Sequence, residues 1–224
     1  MYSPDPTHAR RAGSQTPSGG CPERAFAAFD FDGTLTRRDT LLDFLAHAFG
    51  RTRLLLELLR IAPSLVLMKL HLVDNGGTKR RLLSRYLRGR RLADVKAMAQ
   101  RYCDERYGEL MRPDTVAALE EHKRAGDTVV IVTASLSLWV EPFARRLGVD
   151  RLIATEAEVD AQGVLTGGFA TPNCHGPEKV RRLAEAFPEL APGRKRPGCP
   201  RLEAYGDSAG DRELLALADI PHRV

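Results

Sequence analysis

The chain is short of the features that mark an unusual environment. It has four cysteines in 224 residues, Cys21, Cys103, Cys174 and Cys199. They are widely spaced and form no paired metal-ligand motif. A zinc site and a disulfide framework are therefore not indicated, and free thiols in a reducing cytoplasm are expected. A secretory signal is also missing. Residues 1–22 are rich in Pro, Ser, Gly, Thr and Arg and contain no apolar core of signal length. Residues 1–24 read as a disordered leader. Neither charge sign is in large excess. A net charge of +5 and a pI near 9.2 suit an anionic substrate but fall well short of a dedicated nucleic-acid binder. An uninterrupted membrane-length apolar run is absent too. Leu54 to Val73 comes nearest, but Glu57, Arg60, Lys69 and His71 interrupt it, and Pro63 is expected to break or kink it. That stretch predicts two helices buried in a small bundle, with a surface-lying amphipathic hairpin as the alternative. Stable membrane insertion is not expected, and no internal repeat is found.

What remains is an ordinary globular composition, 43% hydrophobic and 28% charged. The length allows one or two domains with a real core. Phe26 to Thr36 is the informative stretch. An apolar strand-like run ends abruptly in Asp30 and Asp32, followed by Gly33-Thr34. Two acids at the carboxyl end of a buried strand are costly unless compensated. Mg²⁺ compensates such a pair, since it prefers carboxylate, phosphate and water oxygens.

Further along, Val129 to Thr133 reads as a strand ending in Thr133-Ala134-Ser135. Lys179 opens a helical pattern after Asn-Cys-His-Gly-Pro-Glu. Cys174, close by, reads as a loop bystander rather than a reactive thiol. Leu202 to Tyr205 ends in Gly-Asp-Ser-Ala-Gly-Asp, which carries Asp207 and Asp211. Asp160 to Gly163 is a hairpin signal. Strands alternating with helices predict a Rossmann-like parallel α/β sheet with helices on both faces. Between the first two strands, Asp39 to about Met111 reads as helix throughout. This section is rich in basic residues, including Lys79, Arg80, Arg81, Arg85, Arg88, Arg90 and Arg91, most of which read as a solvated face.

The order Asp-x-Asp, strand-end Thr, Lys, Gly-Asp-x-x-x-Asp resembles the haloacid-dehalogenase-like hydrolases, in their phosphoserine-phosphatase-like branch. The resemblance runs from about Ala25 to Val224. It implies a core over 25–38 and 112–224 and a helical cap over 39–111. Family members run on somewhat past the position of Val224, so the C-terminus reads as short. Hydrolysis of a phosphate ester needs a nucleophile, a proton donor and compensation for dense negative charge. Asp30 is assigned as nucleophile through an aspartyl-phosphate, and Asp32 as general acid and then base. The resemblance implies that Asp30 and Asp207 ligate Mg²⁺ by side chain and Asp32 by its backbone carbonyl. It implies that Asp211 holds a metal-bound water or orients the ligands. Thr133 and the Ala134 amide would grip phosphate, and Lys179 would neutralise it. The dehalogenases lack the second acid and the family's ion pumps carry Thr there, so Asp32 favours a phosphatase.

The expected substrate is a small phosphorylated metabolite, with phosphoserine as one candidate. Asp39, which also suits a helix N-cap, and Arg80 or Arg81 are the candidates for recognising it. A phosphotransferase or mutase on the same intermediate is the first alternative. The second is a non-enzymatic protein binding nucleic acid or membrane through its basic cap.

Overall fold

A computed structural model describes residues 25–69, 75–193 and 200–224. The leader, Leu70 to Val73 and the basic triplet Arg194 to Arg196 lie outside the described residues.

The first described strand lies in the middle of the sheet. Strand β1 (Phe26–Phe29) is followed by a tightly wound turn, Phe31–Leu35, and then by four helices. These are α1 (Thr40–Phe49), α2 (Arg51–Lys69), α3 (Asn75–Leu87) and α4 (Leu92–Leu110). Helix α5 (Pro113–Ala125) leads back to β2 (Thr128–Leu136), and α6 (Ser137–Leu147) leads to β3 (Arg151–Thr155). A hairpin of β4 (Ala157–Val159) and β5 (Leu165–Phe169) follows, with its turn at the expected Asp160 to Gly163. Then come α7 (Pro177–Ala186), β6 (Leu202–Gly206), α8 (Arg212–Leu217) and β7 (Ile220–Arg223).

The five-stranded sheet has the order β3-β2-β1-β6-β7, parallel throughout. Strand alternation splits the apolar residues between two cores. Ala27 and Phe29 join Leu119, Trp139 and Phe143 on one face; Phe26 and Ala28 join Leu183 and Leu214 on the other. The connection from β1 runs to β2 on one side and that from β6 runs to β7 on the other, so the strand order reverses between β1 and β6. In open parallel sheets, ligands bind at such a reversal, at the carboxyl ends of the strands.

The inserted helices are closed at their neck by antiparallel backbone pairing. Arg37 N donates to Leu110 O at 2.8 Å and Arg112 N to Leu35 O at 2.9 Å. Their buried side chains are continuous with the α5–α6 core: Phe44 stacks on Trp139 with centroids 5.2 Å apart, and Tyr102 meets Phe143 at 5.7 Å. The hairpin also ties to this layer, since Gly89 N donates to Leu165 O and Leu165 N to Arg90 O.

Two expectations for Leu54 to Val73 are corrected. Helix α2 runs through Pro63 to Lys69 as one helix. A proline removes one backbone hydrogen bond and can bend a helix without ending it. Nor is the stretch buried all round: Leu54 is buried, but Leu55, Leu56 and Leu59 face solvent. Among the described residues, no helix is long and apolar enough to cross a membrane.

Candidate active site

Asp30 leaves the end of β1 with its amide bonded to Tyr205 O on β6, at 2.9 Å. The turn that follows is shaped by the neighbouring acid. Gly33 has φ 81°, and a Cβ there would lie 2.7 Å from Asp207 Cγ. Likewise a Cβ on Gly206 would lie 2.5 Å from Asp211 Cβ. Both glycines let a carboxylate press against backbone.

Lys179, in the first turn of α7, is 2% exposed and joins the two ends of the chain. Its Nζ donates to Asp30 Oδ1 at 2.6 Å and to Asp211 Oδ1 at 2.5 Å. The other Asp211 oxygen accepts from Ser208 N at 3.0 Å and Ser208 Oγ at 2.7 Å, closing a capping box before α8. Burial would lower the Lys179 pKa, but Asp30 and Asp211 together outweigh it and hold the ammonium above its usual range. Burial also pushes Asp211 up, and the Lys179 charge and the hydrogen bonds from Lys179 and Ser208 bring it below the usual carboxylate range. Asp30 goes the other way. Burial, reinforced by Asp211, raises its carboxyl to about 7 despite Lys179.

Asp32 sits in a different environment. Its Oδ1 accepts from Thr40 N at 2.7 Å and Thr40 Oγ1 at 2.6 Å, and its Oδ2 from Ser135 Oγ at 2.5 Å. Thr40 Oγ1 in turn accepts from Trp139 Nε1 at 3.0 Å. Burial, with Asp39 nearby, raises the Asp32 pKa, and the hydroxyl and amide donors only partly oppose it. One acid therefore has an ammonium partner, while its neighbour on the same turn has neutral donors.

Carboxylate oxygens of Asp30, Asp207 and Asp211 lie within 4.8 Å of one another. Three acids share one ammonium, so the cluster is short of positive charge and offers hard oxygen donors. That donor set fits Mg²⁺. Asp207 is the exposed member; its contact from Thr34 Oγ1 is long, at 3.4 Å.

Of the residues singled out in the sequence, Asp30, Asp207, Asp211 and Lys179 converge. Asp32 adjoins them but turns its carboxylate toward Thr40 and Ser135. Thr133 is buried, and its Oγ1 accepts from Ser135 N at 3.1 Å. At Ala134 the carbonyl is engaged, accepting from Lys79 Nζ and Thr155 Oγ1, each at 2.9 Å. Asp39 is exposed and caps α1, accepting from Leu41 N at 2.7 Å. Arg80 and Arg81 face solvent, so the basic residue that α3 turns toward the strand end is Lys79. A helix advances about 100° per residue, which separates neighbours onto different faces. Burial lowers the Lys79 pKa, and Asp32, Asp39 and Asp30 pull against it.

Sequence reasoning assigned no role to Ser135, Thr40 or Trp139. The one available signal was strand alternation, which puts Ser135 on the same side as Thr133.

A parallel sheet with acids and a lysine gathered at the carboxyl ends of its strands is the arrangement of an α/β protein with a ligand site at its switch point. Residues 27–216 match the haloacid dehalogenase-like hydrolase family, and the chain belongs to it. It is 38% identical over 197 residues to the protein CicA of Caulobacter vibrioides, covering 88% of this chain and 84% of that one. It is 29% identical over 198 residues to the phosphoserine phosphatase SerB1 of Mycobacterium tuberculosis, covering 86% of this chain and 62% of that one. In fold it is similar to a Bordetella pertussis protein of unknown function, with a TM-score of 0.73 at 24% identity over 88% of each chain.

Proposed function

We propose that the chain is a Mg²⁺-dependent phosphomonoesterase acting on a small phosphorylated metabolite through an aspartyl-phosphate. The observation that carries this reading is the unequal treatment of two acids on one turn. Asp30 is bonded to the Lys179 ammonium, whose charge favours the ionised nucleophile against the burial that raises its carboxyl to about 7. Asp32 is held by hydroxyls with its pKa raised, as suits a proton carrier.

In the proposed reaction an Asp30 oxygen attacks phosphorus and the bond to the leaving alcohol breaks. Asp32 gives that oxygen its proton. Asp32, now a carboxylate, then takes a proton from the water that cleaves the aspartyl-phosphate. Inorganic phosphate leaves and Asp30 is regenerated. Lys179 offsets charge on Asp30 and the phosphate, while the Thr133 hydroxyl and the Ala134 amide, toward the carboxyl end of β2, are assigned to grip phosphate oxygens. Asp30 and Asp207 would hold Mg²⁺ by their carboxylates and Asp32 by its backbone carbonyl, with Asp211 orienting them. When bound, the ion offsets the negative charge that otherwise repels phosphate from Asp30.

Helices α1 to α4 act as the cap in this reading, over 39–111, with 25–38 and 112–224 as the core. Thr40 belongs to the cap and bonds to Asp32, so the cap holds the proton carrier. Lys79 is proposed to meet the substrate in place of Arg80 or Arg81. Phosphoserine is one candidate substrate, supported by the name of the mycobacterial relative. Asp39 is engaged as a helix cap, which leaves recognition of an amino group with less support.

The test is phosphate release from a panel of phosphorylated metabolites, with Mg²⁺ and with a chelator, for wild type and Asp30→Asn. Metal-dependent release, lost by about a thousandfold or more in the variant, is expected. Turnover in Asp30→Asn equal to wild type, at unchanged circular dichroism, would overturn the mechanism. Added acceptor alcohols separate hydrolysis from phosphoryl transfer.

A further inference from the structure

Helix α2 has an outward apolar stripe that the fold does not use. Leu55, Leu56 and Leu59 are 57%, 53% and 63% exposed. At about 100° per residue they occupy one arc of the helix. Leu54 and Leu58 point the other way and account for the packing of α2 on the core. Single exposed leucines are ordinary, but three on one face of one helix form a patch.

The charge around this patch is one-sided. Among the described residues of 51–91, eight arginines are exposed and the one acid is Glu57. On α3 and just beyond it, Arg81, Arg85 and Arg88 recur at helical spacing and are exposed. Arg85 reaches Glu57 of α2 at 2.8 Å; on the same advance Glu57 lies about 100° beyond Leu56, and the exposed Arg53 and Arg60 fall between them, so basic residues flank the leucine arc on that side. Glu57 is shared by Arg85 and Arg60 and leaves the other guanidinium groups uncompensated by it.

The possible occupants differ in what they satisfy. A nucleic acid would use the arginines and leave the leucines in water. A second copy of the chain would cover the leucines but bring like charges together. An anionic lipid surface satisfies both, since the leucines enter the acyl boundary and the arginines meet headgroup phosphates. We infer that α2 and α3 seat the protein on an anionic membrane surface, lying in the interface rather than crossing it. This inference is independent of the reaction proposed above.

The experiment is vesicle flotation of the full chain with phosphatidylcholine alone and with phosphatidylglycerol added. Binding to the anionic vesicles is expected, weakened by salt, with little on neutral ones. The triple variant Leu55→Ser/Leu56→Ser/Leu59→Ser and the double variant Arg85→Gln/Arg88→Gln should each weaken binding by about tenfold or more. Circular dichroism and turnover of a water-soluble phosphate ester should match wild type in both, because all five side chains are exposed. Three results would each overturn the inference. One is no flotation with either lipid. Another is a concentration-dependent dimer, lost in the leucine variant, in a protein that does not bind vesicles. The last is salt-sensitive nucleic-acid binding that survives in the leucine variant without flotation.

Discussion

The acid-lysine cluster and the α2–α3 surface are both rich in charge and obey opposite rules. In the cluster, Lys179 is buried and bonded to two acids, and Asp211 has both oxygens engaged. On α2 and α3, arginines outnumber acids and most of them face water. Burial makes the difference. A buried charge without a partner costs several kcal/mol, whereas an exposed one costs almost nothing. The cluster therefore demands particular residue types at particular places, and the surface demands only that it stay wetted or meet a partner.

The largest test of this contrast is Lys179→Met. Removing the ammonium strands Asp30 and Asp211 in the interior and should destabilise the fold by about 3–5 kcal/mol, measured by urea unfolding. Arg85→Gln, which breaks the Glu57 pair on the surface, should leave the urea midpoint unchanged. Equal losses in the two variants would erase the distinction drawn between the regions.

Next in size is the pH dependence of stability in chelator. The folded pKa of Asp30 is raised from 3.8 to about 7, so the folded chain binds this proton more tightly than the unfolded one. The stability from this group is fully present below its ordinary pKa and is lost as pH rises to about 7. Asp30→Asn should remove that fall, making the wild-type and variant curves diverge across this window. Mg²⁺ should restore wild-type stability near neutrality, by about 2.7 kcal/mol at a hundred times its Kd. An unchanged melting temperature on adding Mg²⁺ would argue against the metal site.

Thr40→Val addresses the second acid. It removes one hydroxyl donor from Asp32 and the acceptor of Trp139 Nε1. Hydrogen bonds from Thr40 lower the Asp32 pKa, so their partial loss should raise it further. The basic limb of the pH–rate profile should move to higher pH, with turnover reduced about tenfold. A uniform loss of rate with an unmoved limb would reduce Thr40 to a structural residue.

The smallest effect separates two neighbours on α3. Lys79→Ala should raise KM several-fold for a soluble phosphate ester, since it removes a cation from the strand end. Arg80→Ala should leave kcat and KM as they are. The reverse result would return recognition to the arginine.

The parts of the site that could be read along the chain are those where local pattern and chemistry coincide. The run from Phe26 to Thr36 shows its strand, its acids and its glycine turn in eleven consecutive residues. The parallel sheet follows from strands alternating with helices, and the hairpin from Asp160 to Gly163. Thr40, Ser135 and Lys79 were not legible as partners, because hydroxyls and lysines are common and their roles depend on helix phase and strand pairing. Pro63 misled for a related reason: whether a proline ends a helix depends on whether the rest of the helix holds.

The sequence by itself determined the sheet and which charged side chains stand at the ends of its strands, because a buried carboxylate or ammonium has few tolerable settings. Tertiary structure decided who meets whom. Asp30 and Lys179 lie 149 residues apart in the chain and 2.6 Å apart in space. The pairing of β1 with β2 and the packing of α7 against β2, β3 and α8 bring those atoms together. Exposure of the α2 leucines was decided in the same way, since the sequence lists apolar residues on both faces of that helix and the fold has a core for one.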